Sequence, residues 1–283
     1  MPERPELDYQ RDLLSDAIPG TVIAAVHVHD PIVVRQMVRT DLSEALVGRR
    51  VTTIVRRAHF MIIGLEGPAP HLALAIHPML AGRFQLCAAS DRVPKDTCFA
   101  ITLDDGRQLR YRDRKRMGKV YIHEQAKRAS IPGLATVGVD VLGLEFTFER
   151  FAALAQKRRD QVKVFLMDKS ALDAFGNAYA DETLFAAGIH PKARVRELSS
   201  EQLRALHAAA VSVLQEASDT VRARKPPLHE KVRDFLKVRN RKGQPCPTCG
   251  TPIRVAGVRG HDAFFCAVCQ PDRSGRGFVR WSR

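Results

Sequence analysis

The chain has 283 residues, 45% of them hydrophobic and 27% charged, with 45 Lys and Arg against 31 Asp and Glu, a net charge of +14. That length allows two ordinary domains with cores of their own plus a small appended module, and the composition excludes a disordered or fibrous chain. No run of about 18 apolar residues is present to span a bilayer, and the start MPERPELDYQRD has no secretory apolar stretch, so the expected location is the cytoplasm or nucleoid, with no membrane partner.

The first 135 or so residues read mainly as strands. Helical spacing at Leu7, Leu13, Leu14 and Ile18 predicts one early helix over 5–18. Apolar and β-branched runs predict strands at 21–28, 51–65, 72–76, 98–103 and 119–122, and Asp104-Asp105-Gly106 is a hairpin turn. After Pro132 the period changes. Phe148, Phe151 and Leu154, and then Leu203, Leu206, Ala210 and Leu214, predict helices within 146–220, with breaks at Gly176-Asn177 and Gly188-Ile189-His190-Pro191. Ser199 with Gln202 is a capping pair for the last helix, and 222–227 is a basic, Pro-containing connector.

The basic excess is uneven, since 221–283 carries 15 Lys and Arg against 4 Asp and Glu. Such an end suits a polyanion, because each neutralised phosphate releases counterions, and charge alone favours nucleic acid over a merely solvated surface, with an anionic membrane surface a distant third. The same segment holds four of the six cysteines, Cys246, Cys249, Cys266 and Cys269, spaced C-x2-C-x16-C-x2-C. Without an export signal this pattern points to one structural zinc ion in a four-sulfur site, closed to catalytic water, and not to disulfides. Within the module, 251–255 and 263–265 are expected as strands joined by a turn over 256–262. Cys87 and Cys98 lie apart, in a region that reads as strand.

Proline at position 2 offers a secondary amine once Met1 is removed. An α-amino group has a pKa of roughly 8, so about a tenth is nucleophilic at neutral pH. Such an amine can attack a sugar C1′, expel the base and leave an iminium that acts as an electron sink, with Glu3 as proton shuttle. Many proteins begin Met-Pro, and the pair gains meaning only from its company.

The start Pro2-Glu3-Arg4-Pro5-Glu6-Leu7, the string Leu166-Met167-Asp168 with the Gly176 to Pro191 segment GNAYADETLFAAGIHP, and the ending Lys242-Gly243-Gln244-Pro245-Cys246 through Cys249-Gly250-Thr251-Pro252-Ile253 resemble the formamidopyrimidine-DNA glycosylase and endonuclease VIII family, in order over nearly the whole chain. The resemblance implies an α+β multidomain fold: an N-terminal β-sandwich with an edge helix (1–135), a helix-two-turn-helix DNA-binding domain (136–228) and a zinc-finger hairpin (238–275). It implies a base-excision glycosylase with AP lyase activity, acting as a monomer on double-stranded DNA that contains a damaged base or abasic site, with Pro2 as nucleophile and Glu3 as acid and base. By position, Lys163 and Asn177 match the family's phosphate-binding lysine and asparagine, and His77 and Arg116 match residues that bind the DNA backbone.

Five positions depart from the family pattern. His59 stands where a hairpin lysine is usual, and His261 falls, by count from Cys249, on the finger-tip arginine. Among the void-filling residues, Leu80 replaces a methionine and Met117 a phenylalanine, while Lys115 takes the place of an arginine. Apolar or long side chains still fill a void. The two changes to histidine imply an altered or weakened lyase step, and the alternative is a non-catalytic damaged-DNA-binding protein that keeps the fold and the zinc.

Overall fold

The computed structural model describes residues 2–173 and 175–272, and they fall into two compact units: 2–137 with 218–232, and 138–173 and 175–217 with 233–272. No helix among the described residues is long and apolar enough to cross a membrane.

In the first unit, helix α1 (Arg4–Ala17) and a short α2 (Leu42–Leu46) accompany nine strands: β1 (Ile23–Val28), β2 (Val34–Gln36), β3 (Arg50–Arg57), β4 (Phe60–Glu66), β5 (Leu72–His77), β6 (Arg83–Ala88), β7 (Thr97–Leu103), β8 (Arg107–Arg112) and β9 (Lys119–Glu124). They form a four-stranded sheet ordered β1-β7-β8-β6 and a five-stranded sheet ordered β2-β9-β5-β4-β3. Side chains of both, such as Ile63, Leu74 and Ile122 from one and Phe84, Ile101 and Leu109 from the other, share one core with Leu14 of α1 and Ile18 just after it. Each such residue, when fully buried, contributes about 1.5–3 kcal/mol. β4 and β5 are apolar on both faces because a second cluster, Phe60, Ile62, Ala73 and Ala75 with Ile131 and Leu134, covers the outer face.

The predicted strand over 51–65 is in fact two strands. β3 and β4 pair antiparallel from Arg50↔Glu66 to Arg57↔Phe60, leaving Ala58-His59 as a two-residue turn with Ala58 at φ 51°. A short hairpin needs positive φ there to follow the strand twist, and a non-glycine residue pays a strain of roughly 1 kcal/mol. The apolar pattern runs through the turn because its residues are buried as well.

The second unit contains the two-residue strands β10 (Val139–Asp140) and β11 (Leu172–Asp173), helices α3 (Phe148–Gln156), α4 (Val162–Leu166) and α5 (Asn177–Ala186), most of α6 (Ser200–Arg224), and the finger strands β12 (Arg254–Val258) and β13 (His261–Phe265). The predicted breaks are where α5 starts and stops, and Gly188 has φ 66°. The Ser199 hydroxyl accepts from the Gln202 N–H at 3.2 Å while the Ser199 N–H donates to the Gln202 side chain at 3.0 Å, the reciprocal cap the sequence indicates. The connector is shorter than expected, since α6 runs on to Arg224.

The finger hairpin differs from expectation in register. β12 and β13 pair from Arg254↔Phe265 to Val258↔His261, so the turn is only Arg259-Gly260, with φ 43° and 80°. Glycine at the second turn position permits this tight reversal. Residues 256–258 and 261–262, expected in the turn, belong to the ladder.

Candidate active site and nucleic-acid interface

In the first unit, Pro2 and Glu3 are buried at the head of α1. Glu3 and Glu6 form a capping box, with the Glu3 N–H donating to Glu6 Oε2 at 2.8 Å. One turn further on, Asp8 accepts from Arg4 Nε at 3.0 Å and from Arg56 Nε at 2.6 Å. Arg56 also donates from Nη1 to the Ala58 carbonyl at 2.7 Å. The helix that begins with Pro2-Glu3 is thereby braced, through Asp8 and Arg56, to the strained turn that carries His59. Sequence reasoning missed this brace, because Asp8 and Arg56 lie 48 positions apart and each has other polar residues beside it in the chain.

His59 is 2% exposed and stacks on His77, with ring centroids 6.1 Å apart and 12° between planes. His77, the last residue of β5, lies edge-on to Phe60 at 4.7 Å, and its Nδ1 accepts from the Met79 N–H at 3.0 Å. That bond makes Nδ1 the unprotonated nitrogen of a neutral His77 ring. Leu80 and Met117 stand 48% and 39% exposed on loops that follow β5 and β8, and Lys115 is exposed beside Met117. Arg116, at φ 52°, pairs with Asp30.

In the second unit the predicted phosphate residues sit around α4, α5 and the finger. Asn177 is the first residue of α5, and its Oδ1 is buried without a hydrogen-bond partner among the described residues. Lys163 is wholly buried. Its ammonium donates to Asp181 Oδ1 at 2.6 Å and to the Asp262 carbonyl on β13, and Arg239 reaches Asp181 Oδ2 at 2.8 Å and the same carbonyl at 3.1 Å. Burial pushes the Asp181 carboxyl up, while Lys163 and Arg239 oppose that shift. Lys163 therefore ties the finger to the helices, and a cleft of about 360 Å³ beside it is lined by Arg158, Lys163, Asp168, Arg259 and His261. The tip residue is Arg259, which is exposed; His261 stands beside it at the head of β13. The count from Cys249 located His261 but not the turn, because hairpin register depends on pairing.

The four cysteine sulfurs lie within 4.8 Å of one another, with Cys246 to Cys269 at 3.8 Å and Cys249 to Cys266 at 3.4 Å. A tetrahedral ion with Zn–S of about 2.3 Å needs sulfurs about 3.8 Å apart, so the set fits zinc. The Thr251 hydroxyl and N–H hold the Cys249 thiol down to about 6, while burial and then the neighbouring sulfurs push the Cys266 and Cys269 thiols up, so it is the geometry of the four sulfurs that supports the metal. Two further ties fix the module. Glu182 accepts from the N–H groups of Lys237, Val238 and Arg239, and Gln270 bridges the Cys266 N–H and the Ile189 carbonyl.

Three family models match in chain order: the formamidopyrimidine-DNA glycosylase N-terminal domain over residues 1–120, its H2TH domain over 137–224, and the zinc finger found in FPG and IleRS over 243–271. The chain belongs to the formamidopyrimidine-DNA glycosylase family. The formamidopyrimidine-DNA glycosylase of Bacillus subtilis is 31% identical over 279 residues, covering 95% of this chain and 99% of its own. That of Geobacillus kaustophilus is 32% identical over 277 residues, covering 95% and 100%. The crystal structure of the MutM (Fpg) protein from Thermus thermophilus has a TM-score of 0.81 at 28% identity, covering 95% of this chain and 98% of its own. A Lactococcus lactis Fpg bound to DNA containing an abasic site shares the fold, with a TM-score of 0.86 at 24% identity. As in the family, the fold is α+β with an N-terminal sandwich, an H2TH domain and a finger whose four cysteines hold one structural zinc.

Proposed function

We propose that this chain is a DNA base-excision glycosylase with AP lyase activity whose nucleophile is the Pro2 amine. The observation that carries this reading is the braced arrangement of the first unit, in which the buried Pro2-Glu3 start of α1 is tied by Asp8 and Arg56 to the turn bearing His59. The amine attacks C1′ of the damaged nucleotide, and the C1′–N bond breaks as the base leaves with a proton. The C1′–O4′ bond of the sugar then opens, its oxygen taking a proton, and the resulting iminium acidifies the C2′ proton, whose loss expels the 3′ phosphate. Glu3 carries protons at the sugar, and His59, in the position of the family's lysine, is the second proton donor and acceptor.

The three parts divide the work: 1–135 does the chemistry, while 136–228 and the finger at 238–275 hold the backbone of double-stranded DNA as a monomer. Asn177, at the head of α5, and Lys163 grip phosphate where a helix N-terminus already favours an anion. His77, Arg116 and His261 add backbone contacts, and Leu80, Lys115 and Met117 fill the void that the extruded base leaves.

Borohydride trapping on abasic-site DNA tests the chemistry. The expected result is a covalent adduct that Pro2→Gly abolishes, together with an intact mass lacking Met1. Retained Met1, or DNA binding without any adduct between pH 6 and 8, refutes it and leaves a non-catalytic damage-binding protein.

A further inference from the structure

Two loops carry the void-filling residues, and both end on the same buried pair. Tyr111, near the end of β8, and Asp113 are each 1% exposed. One Asp113 carboxylate oxygen accepts from the Lys115 N–H at 2.9 Å and the other from the Gly118 N–H at 2.7 Å, so this single side chain closes the loop 113–118 at both ends. The Asp113 carbonyl accepts in turn from the Arg116 N–H at 3.1 Å. The Tyr111 hydroxyl lies 3.3 Å from Asp113 Oδ2 and 3.5 Å from the Pro78 carbonyl. That same carbonyl accepts from the Gly82 N–H at 2.8 Å and so closes the loop bearing Leu80.

The glycines show how tightly the hydroxyl is held. A Cβ built on Gly118 would lie 1.6 Å from it, and one built on Gly82 would lie 2.4 Å from it. Both loops thus press backbone against one phenol oxygen, where no larger residue fits. Burial, with Asp113 nearby, pushes the phenol well above its ordinary range, which keeps it a donor. The strain is local too, since Met79 and Arg116, one in each loop, have φ of 46° and 52°. Left-handed conformations at non-glycine residues persist only where the surroundings enforce them.

We infer that Tyr111 and Asp113 are positioning residues that lock the Leu80 loop and the 113–118 loop into one rigid wedge, so that both enter the DNA together. This rests on the void-filling roles proposed above for Leu80, Lys115 and Met117. Two loops ordered before binding lose little freedom on entering the helix stack, whereas loops that move separately pay that entropy at each encounter.

The test uses the full zinc-loaded chain and the variants Tyr111→Phe and Asp113→Asn. Tyr111→Phe keeps its ring in the core against Phe84, so folding is checked by melting. Borohydride trapping is compared on an abasic site in a duplex and on the same strand alone, where no void needs filling. A second arm places 2-aminopurine opposite a tetrahydrofuran abasic analogue in a duplex and follows its fluorescence on binding.

The expected result is a loss of about tenfold in duplex trapping with little change on the single strand, the size of one lost buried hydrogen bond. The fluorescence rise should weaken in parallel, and Leu80→Ala should reproduce the pattern. Equal losses on both substrates, or no loss of duplex trapping or fluorescence in either variant, overturn the inference. If the wild-type chain traps on neither substrate, the proposed chemistry falls, while the fluorescence arm still decides whether the wedge is locked.

Discussion

Removal of the Glu182 carboxylate should melt the second unit well before the first. The side chain is 5% exposed and accepts from three consecutive backbone N–H groups, at 2.7, 3.0 and 2.8 Å. Of the donors, Val238 is wholly buried and packs with Phe185, Ile253 and two of the cysteines, so its N–H has no water to turn to. Each bond to a charged acceptor contributes about 1.5–3 kcal/mol, but the three share one desolvated carboxylate and do not add in full. Glu182→Ala is therefore expected to cost about 3–5 kcal/mol, and Glu182→Gln roughly half of that, since an amide oxygen still accepts. For a unit of this size the Ala cost lowers the melting temperature by roughly 10–20 °C. Calorimetry reads the shift, and a chromogenic chelator reads zinc release on the same ramp. An Ala variant that melts within about 3 °C of wild type and holds its zinc to the same temperature refutes the view that this carboxylate anchors the finger.

Other expectations follow from individual contacts. Arg56→Ala breaks the pair with Asp8 and the clasp on Ala58, and since Asp8 keeps Arg4 the cost should be about 3 kcal/mol by urea unfolding. Trapping by the folded Arg56→Ala protein should fall more than tenfold, near the strength of one charged hydrogen bond. His123 is 1% exposed, donates from Nδ1 to the Glu124 carbonyl at 2.8 Å and has a buried Nε2 without a partner among the described residues; burial lowers its pKa. The unfolded chain takes up that proton near its ordinary pKa of about 6.5, so stability is complete above this and lost as pH falls towards the lower folded value. Urea midpoints should therefore drop on going from neutral to mildly acid pH, and His123→Leu should flatten the decline; an unchanged slope argues against it. At the finger, Arg259→Ala should reduce the slope of log binding constant against log salt by about 1, while His261→Ala changes it less. The reverse ranking in salt titrations with duplex DNA would return the tip contact to His261.

Much of this was legible in the amino-acid sequence because it rests on local rules. Paired cysteines at fixed spacing specify the metal, the Ser199 and Gln202 pair marks the start of α6, and glycine breaks bound α5. The ordered motifs at Pro2-Glu3, in the Gly176 to Pro191 segment and at the cysteines indicated the family, and the family models agree. Tertiary packing decided the rest. The apolar pattern over 51–65 reads as one strand, since a turn buried under a second cluster looks like strand, and only the family resemblance put a hairpin at His59. Hairpin register placed Arg259, and not His261, at the finger tip, because pairing is settled by what each face buries. The contacts Asp8–Arg56, Tyr111–Asp113 and Glu182 with residues 237–239 join positions distant in the chain or hidden among charged neighbours, and their value comes from desolvation, which exists only once the chain has folded.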